Sequence, residues 1–150
     1  AISDSQEPLP HGRGSPESEK IQGGYYQTIT PLPFFPDGSA LENLPGPTGL
    51  ENLRTIAVTR LMLDNFPHVK AFWIMQSLPM AQVMLEAGAD DIDGTVVWYD
   101  ITKAVGEGTH QETTERDLIT AIREAGYEPV ERDTLYRKVV RDGSDWRVEG

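Results

Sequence analysis

The feature that most constrains the fold is an alternation of apolar, strand-like runs with capped helical segments, which begins near residue 25. The run 69–75 is apolar at nearly every position, as expected for a strand that is covered on both faces. Further strand-like runs are 27–35, 92–98 and 129–130. Alternating strands and helices favour parallel pairing and right-handed crossovers. The sequence therefore predicts an α/β fold of three to four parallel βα units, either half of an eight-stranded barrel or a small open sheet.

Three helices are predicted from capping residues and from the helical spacing of apolar side chains. Thr48 and Glu51 have the spacing of a capping box. Thr114 and Asp117 repeat this pattern at a later helix, and Ser77 precedes the helix between them. The predicted inward faces consist of Leu50, Leu53, Ile56, Ala57, Val58, Leu61 and Met62 in the first helix, Met80, Val83, Met84 and Ala87 in the second, and Leu118, Ile119, Ile122 and Ala125 in the third.

The amino-terminal segment, residues 1–24, differs in composition from the rest of the chain. Eight of the 11 prolines lie in the first 50 residues, and the segment 1–24 has no apolar periodicity. Such a segment buries too little apolar surface to offset the entropy that is lost on ordering. We therefore predict a disordered tail over 1–24 and a partial α/β domain over 25–150.

The charge balance limits the partners that the chain can have. It contains 13 Lys and Arg against 24 Asp and Glu, a formal net charge of -11, and no third of it is basic. Nucleic acid is a poor partner for such a chain, because phosphate binding needs concentrated Lys and Arg. A small-molecule substrate is the expected ligand. The unpaired edges of a half-barrel favour self-association as well.

Several chemistries are excluded by residue types that the chain lacks. It has no cysteine, which rules out disulfides, thiolate zinc sites, a Cys nucleophile and cysteine ligands for an iron–sulfur cluster within these residues. No apolar run approaches the roughly 20 residues that span a bilayer. The first residues lack the basic and apolar regions of a signal peptide. We expect no membrane insertion and a cytoplasmic location.

Two stretches that follow predicted strands and an acidic run around a third strand are candidates for chemistry, because parallel α/β folds bind ligands at the carboxyl ends of their strands. They are 34–39, 75–77 and 90–95. The Asp run in the last stretch lacks the EF-hand pattern. Three interpretations of it stay open: a metal site, a polar substrate contact through Asp93 or Thr95, or a solvated strand entrance.

The histidines His11, His68 and His110 lack the i, i+4 spacing of a helical metal site, and we expect them on the surface. We expect His68 at the amino end of its strand, away from the site. From these patterns we assign no metal ligand and no catalytic residue.

Beyond these patterns, long ordered stretches of the sequence resemble a known enzyme family. Residues 53–75 contain Arg-Leu-Met-Leu-Asp-Asn-Phe-Pro-His-Val-Lys-Ala-Phe-Trp, and residues 88–96 read Gly-Ala-Asp-Asp-Ile-Asp-Gly-Thr-Val. Residues 129–136 read Pro-Val-Glu-Arg-Asp-Thr-Leu-Tyr. Over roughly 27–136 the chain resembles the second half of the aminofutalosine synthases. The Asp-Thr-Leu-Tyr ending is also found in the sibling dehypoxanthine futalosine cyclases.

This resemblance implies that the chain is the carboxyl-terminal half of a TIM-type barrel. It implies a radical S-adenosylmethionine transferase of menaquinone biosynthesis, which joins a 5′-deoxyadenosyl radical to 3-[(1-carboxyvinyl)oxy]benzoate. The implied cofactors are S-adenosylmethionine and a [4Fe-4S] cluster, whose cysteine ligands are absent from this chain. Placement by position implies that the substrate site is lined by Asp37, Ser39, Met75, Gln76, Asp93 and Thr95, as wall and hydrogen-bonding residues.

The stretch 31–39 departs from the family pattern at two positions. The family usually reads Pro-Leu-Ala-Phe-His-Pro-x-Asn-Thr, whereas this chain has Phe35 at the His and Gly38 at the Asn. Two alternatives to a synthase therefore remain. One is a truncated or degenerate, non-catalytic domain of the same family, and the other is the sibling cyclase.

Overall fold

A five-stranded sheet forms the centre of the molecule in the computed structural model, which describes residues 2–4, 26–95 and 113–149. Its strands are β1 (Ile2–Asp4), β2 (Thr28–Ile29), β3 (His68–Ala71), β4 (Asp91–Ile92) and β5 (Pro129–Glu131). They lie in the order β2-β3-β4-β1-β5. A separate antiparallel hairpin follows, made of β6 (Val139–Asp142) and β7 (Asp145–Val148).

The helices are α1 (Gly49–Met62), α2 (Trp73–Gln76), α3 (Leu78–Glu86) and α4 (Glu115–Glu124). The predicted capping box of α1 is confirmed, since Thr48 Oγ1 accepts from the Glu51 amide at 3.2 Å and the Thr48 amide donates to Glu51 Oε2 at 2.7 Å. Thr114 and Asp117 make the same pair of hydrogen bonds at α4. These caps satisfy amides that the first helical turn leaves without an intrahelical partner.

The predicted parallel sheet is confirmed for β2, β3 and β4, which pair in register Thr28 with His68 and Lys70 with Asp91. The predicted last strand exists as β5, but it does not pair with β4. Strand β1 lies between them and is antiparallel to both. It comes from the segment 1–24 that was predicted to be a disordered tail, of which residues 1 and 5–24 lie outside the described part.

Two predicted strands are shorter in the structure. The run 27–35 forms only the two residues of β2, because Pro31 and Pro33 have no amide proton for a ladder. The run 69–75 ends as a strand at Ala71, and Trp73 begins α2 instead of lying on a strand. A short apolar run can be a strand or a buried helical turn, and periodicity does not separate the two. Beyond residue 95, the predicted strand 92–98 lies outside the described residues.

The core lies between the sheet and its helices. It consists of Ile56, Val69, Ala71, Trp73, Ile74, Ala81, Met84, Leu85, Ala89, Ile92, Leu118 and Ile122. The predicted inward face of α1 is wrong in part, because Leu50, Val58, Leu61 and Met62 are exposed, Leu61 to 79%. Only a narrow stripe of this helix, Ile56 and Thr59, is fully covered by its neighbours.

A similar difference holds for α3, where Val83 is exposed and Ala81, Met84 and Leu85 are buried. Within the ranges that the structure describes, no helix has the length and apolar character needed to cross a membrane.

Candidate functional site

A cluster of charged and aromatic side chains lies on the face of the sheet opposite the helices. Val69, Ala71 and Ile92 belong to the helix-covered core. Successive side chains of a strand point to opposite faces, so their neighbours Lys70 and Asp91 lie on the other face. We define the polar cluster as Lys70, Asp91, Asp93, Arg132 and Tyr136, which hydrogen bonds and ion pairs connect.

Asp91 is the fully buried centre of the polar cluster, with 0% of its surface exposed. Arg132, just after β5, binds it in a bidentate manner, with Nη2 at 2.5 Å from Oδ2 and Nε at 3.0 Å from Oδ1. The Tyr136 hydroxyl donates to the same Oδ2 at 2.7 Å. Bidentate Arg–carboxylate pairs are among the strongest charge-assisted hydrogen bonds. The buried carboxylate is therefore fully compensated by residues that follow β5.

Tyr136 is held from several sides in an unusual backbone conformation. Its φ angle is +60°, a left-handed value that is uncommon for a residue other than glycine. Its ring stacks on the His68 ring with centroids 3.9 Å apart. The Arg132 guanidinium carbon lies 3.8 Å from the centroid of the Tyr136 ring. Burial and the Asp91 carboxylate raise the pKa of the Tyr136 phenol, so at neutral pH it remains a hydrogen-bond donor.

Asp93 follows β4 at its carboxyl end and differs from Asp91 in its environment. Its Oδ1 lies 3.2 Å from Lys70 Nζ, and its Oδ2 is buried with no hydrogen-bond partner among the described residues. Burial raises the pKa of Asp93, and Lys70 offsets part of that rise. A buried acceptor atom without a donor is energetically costly unless a ligand or water supplies one.

Trp73 connects the ends of β3 and β4. Its indole Nε1 donates to the carbonyl oxygens of Asp93 at 3.1 Å and Gly94 at 3.2 Å. This places α2, which contains Met75 and Gln76, beside the segment that follows β4. Gln76 Oε1 is also buried without a hydrogen-bond partner in the described part of the chain.

A second ion-pair group borders the polar cluster at the start of β3. Asp90 accepts from Arg60 Nη2 at 2.6 Å and from the Val69 amide at 2.7 Å, and its Oδ2 lies 2.8 Å from His68 Nδ1. The group ties α1 to the loop before β4. It also orients the His68 ring on which Tyr136 stacks. His68 is therefore half-buried, whereas the sequence analysis expected it on the surface.

The six predicted substrate residues differ in their burial and in their local contacts. Met75, Gln76 and Asp93 are half-buried around the Trp73 contact, and Thr95 follows as an exposed residue. Asp37 is exposed in the turn that starts at Pro36, and the Ser39 hydroxyl donates to the Pro36 carbonyl at 2.6 Å. His11 and His110 fall in stretches that the structure does not describe.

Three residues of the polar cluster, Lys70, Arg132 and Tyr136, were not predicted from the sequence, and Asp91 was part of the candidate stretch 90–95 without an assigned role. Lys70 carried a signal, because a lysine inside an otherwise apolar strand requires a charged partner. Arg132 and Tyr136 could be noticed only because they belong to the stretch 129–136, which resembles the family. Among the described residues, no three His, Asp or Glu side chains converge in a way that could hold a metal ion.

Comparison with known proteins decides the family. The profile of the CofH/MqnC C-terminal region matches residues 24–143. The chain belongs to this family. The match includes β2 to β5 and every residue of the polar cluster, so the cluster is a feature of a CofH/MqnC C-terminal region. The resemblance stated from the sequence is thereby confirmed.

Relatives of this CofH/MqnC C-terminal region include enzymes of two names. Aminodeoxyfutalosine synthase of Thermus thermophilus is 45% identical over 120 residues, which cover 77% of this chain and 32% of the relative. The synthase of Streptomyces coelicolor is 44% identical, over 75% of this chain and 32% of the relative. The 5-amino-6-(D-ribitylamino)uracil–L-tyrosine 4-hydroxyphenyl transferase of Methanothermobacter thermautotrophicus is 34% identical, over 78% of this chain and 33% of the relative. The chain thus spans about a third of the length of these relatives.

Proposed function

We propose that the chain is the carboxyl-terminal portion of an aminodeoxyfutalosine synthase. The observation that carries this proposal is the identity of 44–45% with two synthases, against 34% with the tyrosine hydroxyphenyl transferase over a similar span. The complete enzyme would be a cytoplasmic transferase of menaquinone biosynthesis with a TIM-type barrel. It would join a 5′-deoxyadenosyl group to 3-[(1-carboxyvinyl)oxy]benzoate.

The role of this chain in that reaction is to form part of the substrate site. It contains no cysteine, so it supplies no thiolate ligand for a [4Fe-4S] cluster, and radical formation from S-adenosylmethionine belongs to residues outside these 150. We assign the wall of the site to Asp37, Ser39, Met75, Gln76, Asp93 and Thr95. Gln76 and Asp93 are the best supported, because each has a buried oxygen that a substrate donor could satisfy.

A chimaera tests this proposal. The carboxyl-terminal third of the Thermus thermophilus synthase is replaced by this chain, and aminodeoxyfutalosine formation is measured anaerobically after cluster reconstitution. We expect activity in the chimaera, and a loss of about 10²-fold or more when Asp93→Ala removes a substrate-positioning group. The matched control is Asp142→Ala, an exposed carboxylate in the β6–β7 hairpin, which we expect to leave activity unchanged.

The outcomes separate the alternatives. A folded chimaera that loads its cluster but forms no product would favour a degenerate, non-catalytic domain, in keeping with Phe35 and Gly38. A chimaera that turns over dehypoxanthine futalosine instead would favour the cyclase. Unchanged turnover and affinity in Asp93→Ala would contradict the assignment of Asp93 while leaving the family activity in place.

A further inference from the structure

We propose that Lys70 is a positioning residue that holds Asp93 ionised, so that Asp93 Oδ2 accepts a hydrogen bond from a neutral donor of the ligand. The identity of the ligand rests on the proposed function, but the effect of Lys70 on Asp93 does not.

Asp91 is fully paired without Lys70. Arg132 already occupies both of its carboxylate oxygens, and Tyr136 donates to one of them. Lys70 Nζ lies 3.7 Å from Asp91 Oδ2, beyond hydrogen-bond distance. Its contact with Asp91 is therefore a weak electrostatic one.

The Lys70 charge is directed to Asp93. Nζ lies 3.2 Å from Asp93 Oδ1, which is closer than its approach to Asp91. The Lys70 side chain is 17% exposed and that of Asp93 is 19% exposed, so water screens this pair only in part. Arg132 and Tyr136 thus leave Lys70 available for the residue at the end of β4.

The remaining carboxylate oxygen of Asp93 is not paired with Lys70. Within the described residues, Oδ2 is buried and has no donor, although the pairing of Oδ1 with Lys70 favours the ionised carboxylate. The cluster already balances two cationic with two anionic side chains, so an additional cation or anion would be uncompensated. The group that suits Oδ2 is a neutral donor such as a sugar hydroxyl. Gln76 Oε1, also buried without a partner, makes a second acceptor available on α2.

The pH dependence of this arrangement follows from the groups around Asp93. Burial and Asp91 on β4 raise its pKa, whereas Lys70 on β3 and Arg132 after β5 lower it. Removing the Lys70 charge leaves the raising effects less opposed. Asp93 would then take up its proton at higher pH, and a protonated carboxyl is a poorer acceptor.

The test measures the titration of Asp93 by the ¹³Cγ resonance of labelled aspartate in the 150-residue chain. We expect a higher titration midpoint in Lys70→Met than in the wild type, and a return towards the wild-type midpoint in Lys70→Arg. The matched control is Lys138→Met, which removes a half-exposed lysine paired with Glu149 and should leave the Asp93 midpoint unchanged. An unchanged midpoint in Lys70→Met would overturn the proposal.

A second measurement uses the wild-type chain, so that the proposal can be tested even if Lys70→Met does not fold. The ¹⁵Nζ resonance of Lys70 should change with the same midpoint as Asp93, because the two groups are in contact. A Lys70 resonance that is insensitive to the Asp93 titration would contradict the proposal without any substitution.

The ligand half of the proposal is tested in the chimaera with adenosine, a neutral nucleoside that carries ribose hydroxyls. We expect its affinity to fall as the pH decreases through the Asp93 midpoint, and Lys70→Met to move this fall to higher pH. Affinity that does not change over this range would overturn the acceptor role of Oδ2. An inactive chimaera in which Lys70→Met still raises the Asp93 midpoint would contradict the proposed function and support the role of Lys70.

Discussion

At the scale of single residues, the unusual feature is a fully buried carboxylate that the fold retains. Taking Asp91 out of water costs several kcal/mol, and only complete pairing makes this acceptable. Arg132 and Tyr136 provide that pairing, and the left-handed backbone of Tyr136 shows that the surrounding contacts outweigh local strain. The strength of the arrangement depends on all partners being present, because each removal leaves a charge or a donor without compensation.

Replacing Arg132 should therefore destabilise the chain strongly. Arg132→Met leaves the Asp91 carboxylate buried with one neutral donor and a distant lysine, and we expect a loss of about 3–5 kcal/mol in the free energy of unfolding. The measurement is chemical denaturation followed by circular dichroism. Arg123→Met is the control, since Arg123 pairs with Glu128 at the surface and should contribute nothing measurable. A small loss in Arg132→Met would mean that water reaches the Asp91 carboxylate.

Site residues can be predicted from the sequence when the pattern that marks them is local, and not when they depend on a partner far along the chain. Gln76 follows the predicted strand 69–75, and Asp93 lies in the acidic run 90–95 around the next predicted strand, so both were found from local patterns, although the structure places Gln76 at the end of α2. Asp91 and Arg132 are 41 residues apart, and nothing in either local pattern indicates the other. The pairing arises only when the sheet brings β4 and the segment after β5 together.

At the scale of elements, α1 shows what periodicity can and cannot predict. Its capping box and apolar spacing gave the correct type and start of the helix, because both depend on interactions within a few residues. The width of the apolar stripe suggested burial of seven side chains, yet the neighbouring elements cover little more than Ile56 and Thr59. Which part of an apolar face becomes buried is decided by the packing partners.

Two truncations on this helix should have very different effects. Ile56 is 1% exposed in the core, and Ile56→Ala should cost about 2–5 kcal/mol of unfolding free energy through lost burial and a cavity. Leu61 is 79% exposed, and Leu61→Ala should change stability by no more than about 0.5 kcal/mol. Both values come from the same denaturation experiment. Equal losses would show that the outer face of α1 is covered in solution.

At the scale of the whole molecule, the dominant property is the excess of acidic residues. The chain carries 24 Asp and Glu against 13 Lys and Arg. Ion pairs such as that of Arg141 with Glu131 neutralise some of these charges locally, but 13 cationic side chains cannot pair one to one with 24 carboxylates. Repulsion among like charges destabilises a compact state, and salt screens it.

Added salt should therefore stabilise the protein. We expect the thermal midpoint to rise between about 0.02 M and 0.5 M NaCl, where the Debye length falls from roughly 20 Å to below 5 Å. Potassium chloride serves as the control, since screening depends on ionic strength and not on the particular cation. A midpoint that decreases with salt would show that attractive ion pairs outweigh the overall repulsion.

Asp91 is far from its partners along the chain, and this sequence separation affects the order of folding. Arg132 follows Asp91 by 41 residues and Tyr136 by 45, so this contact closes one of the longer loops of the chain. During synthesis, β3 and β4 leave the ribosome well before the guanidinium and phenol that neutralise their buried carboxylate. Long-range contacts of this kind slow folding. A nascent chain that ends before residue 132 would keep this face of its sheet hydrated, and the sheet would close only after the last partner is made.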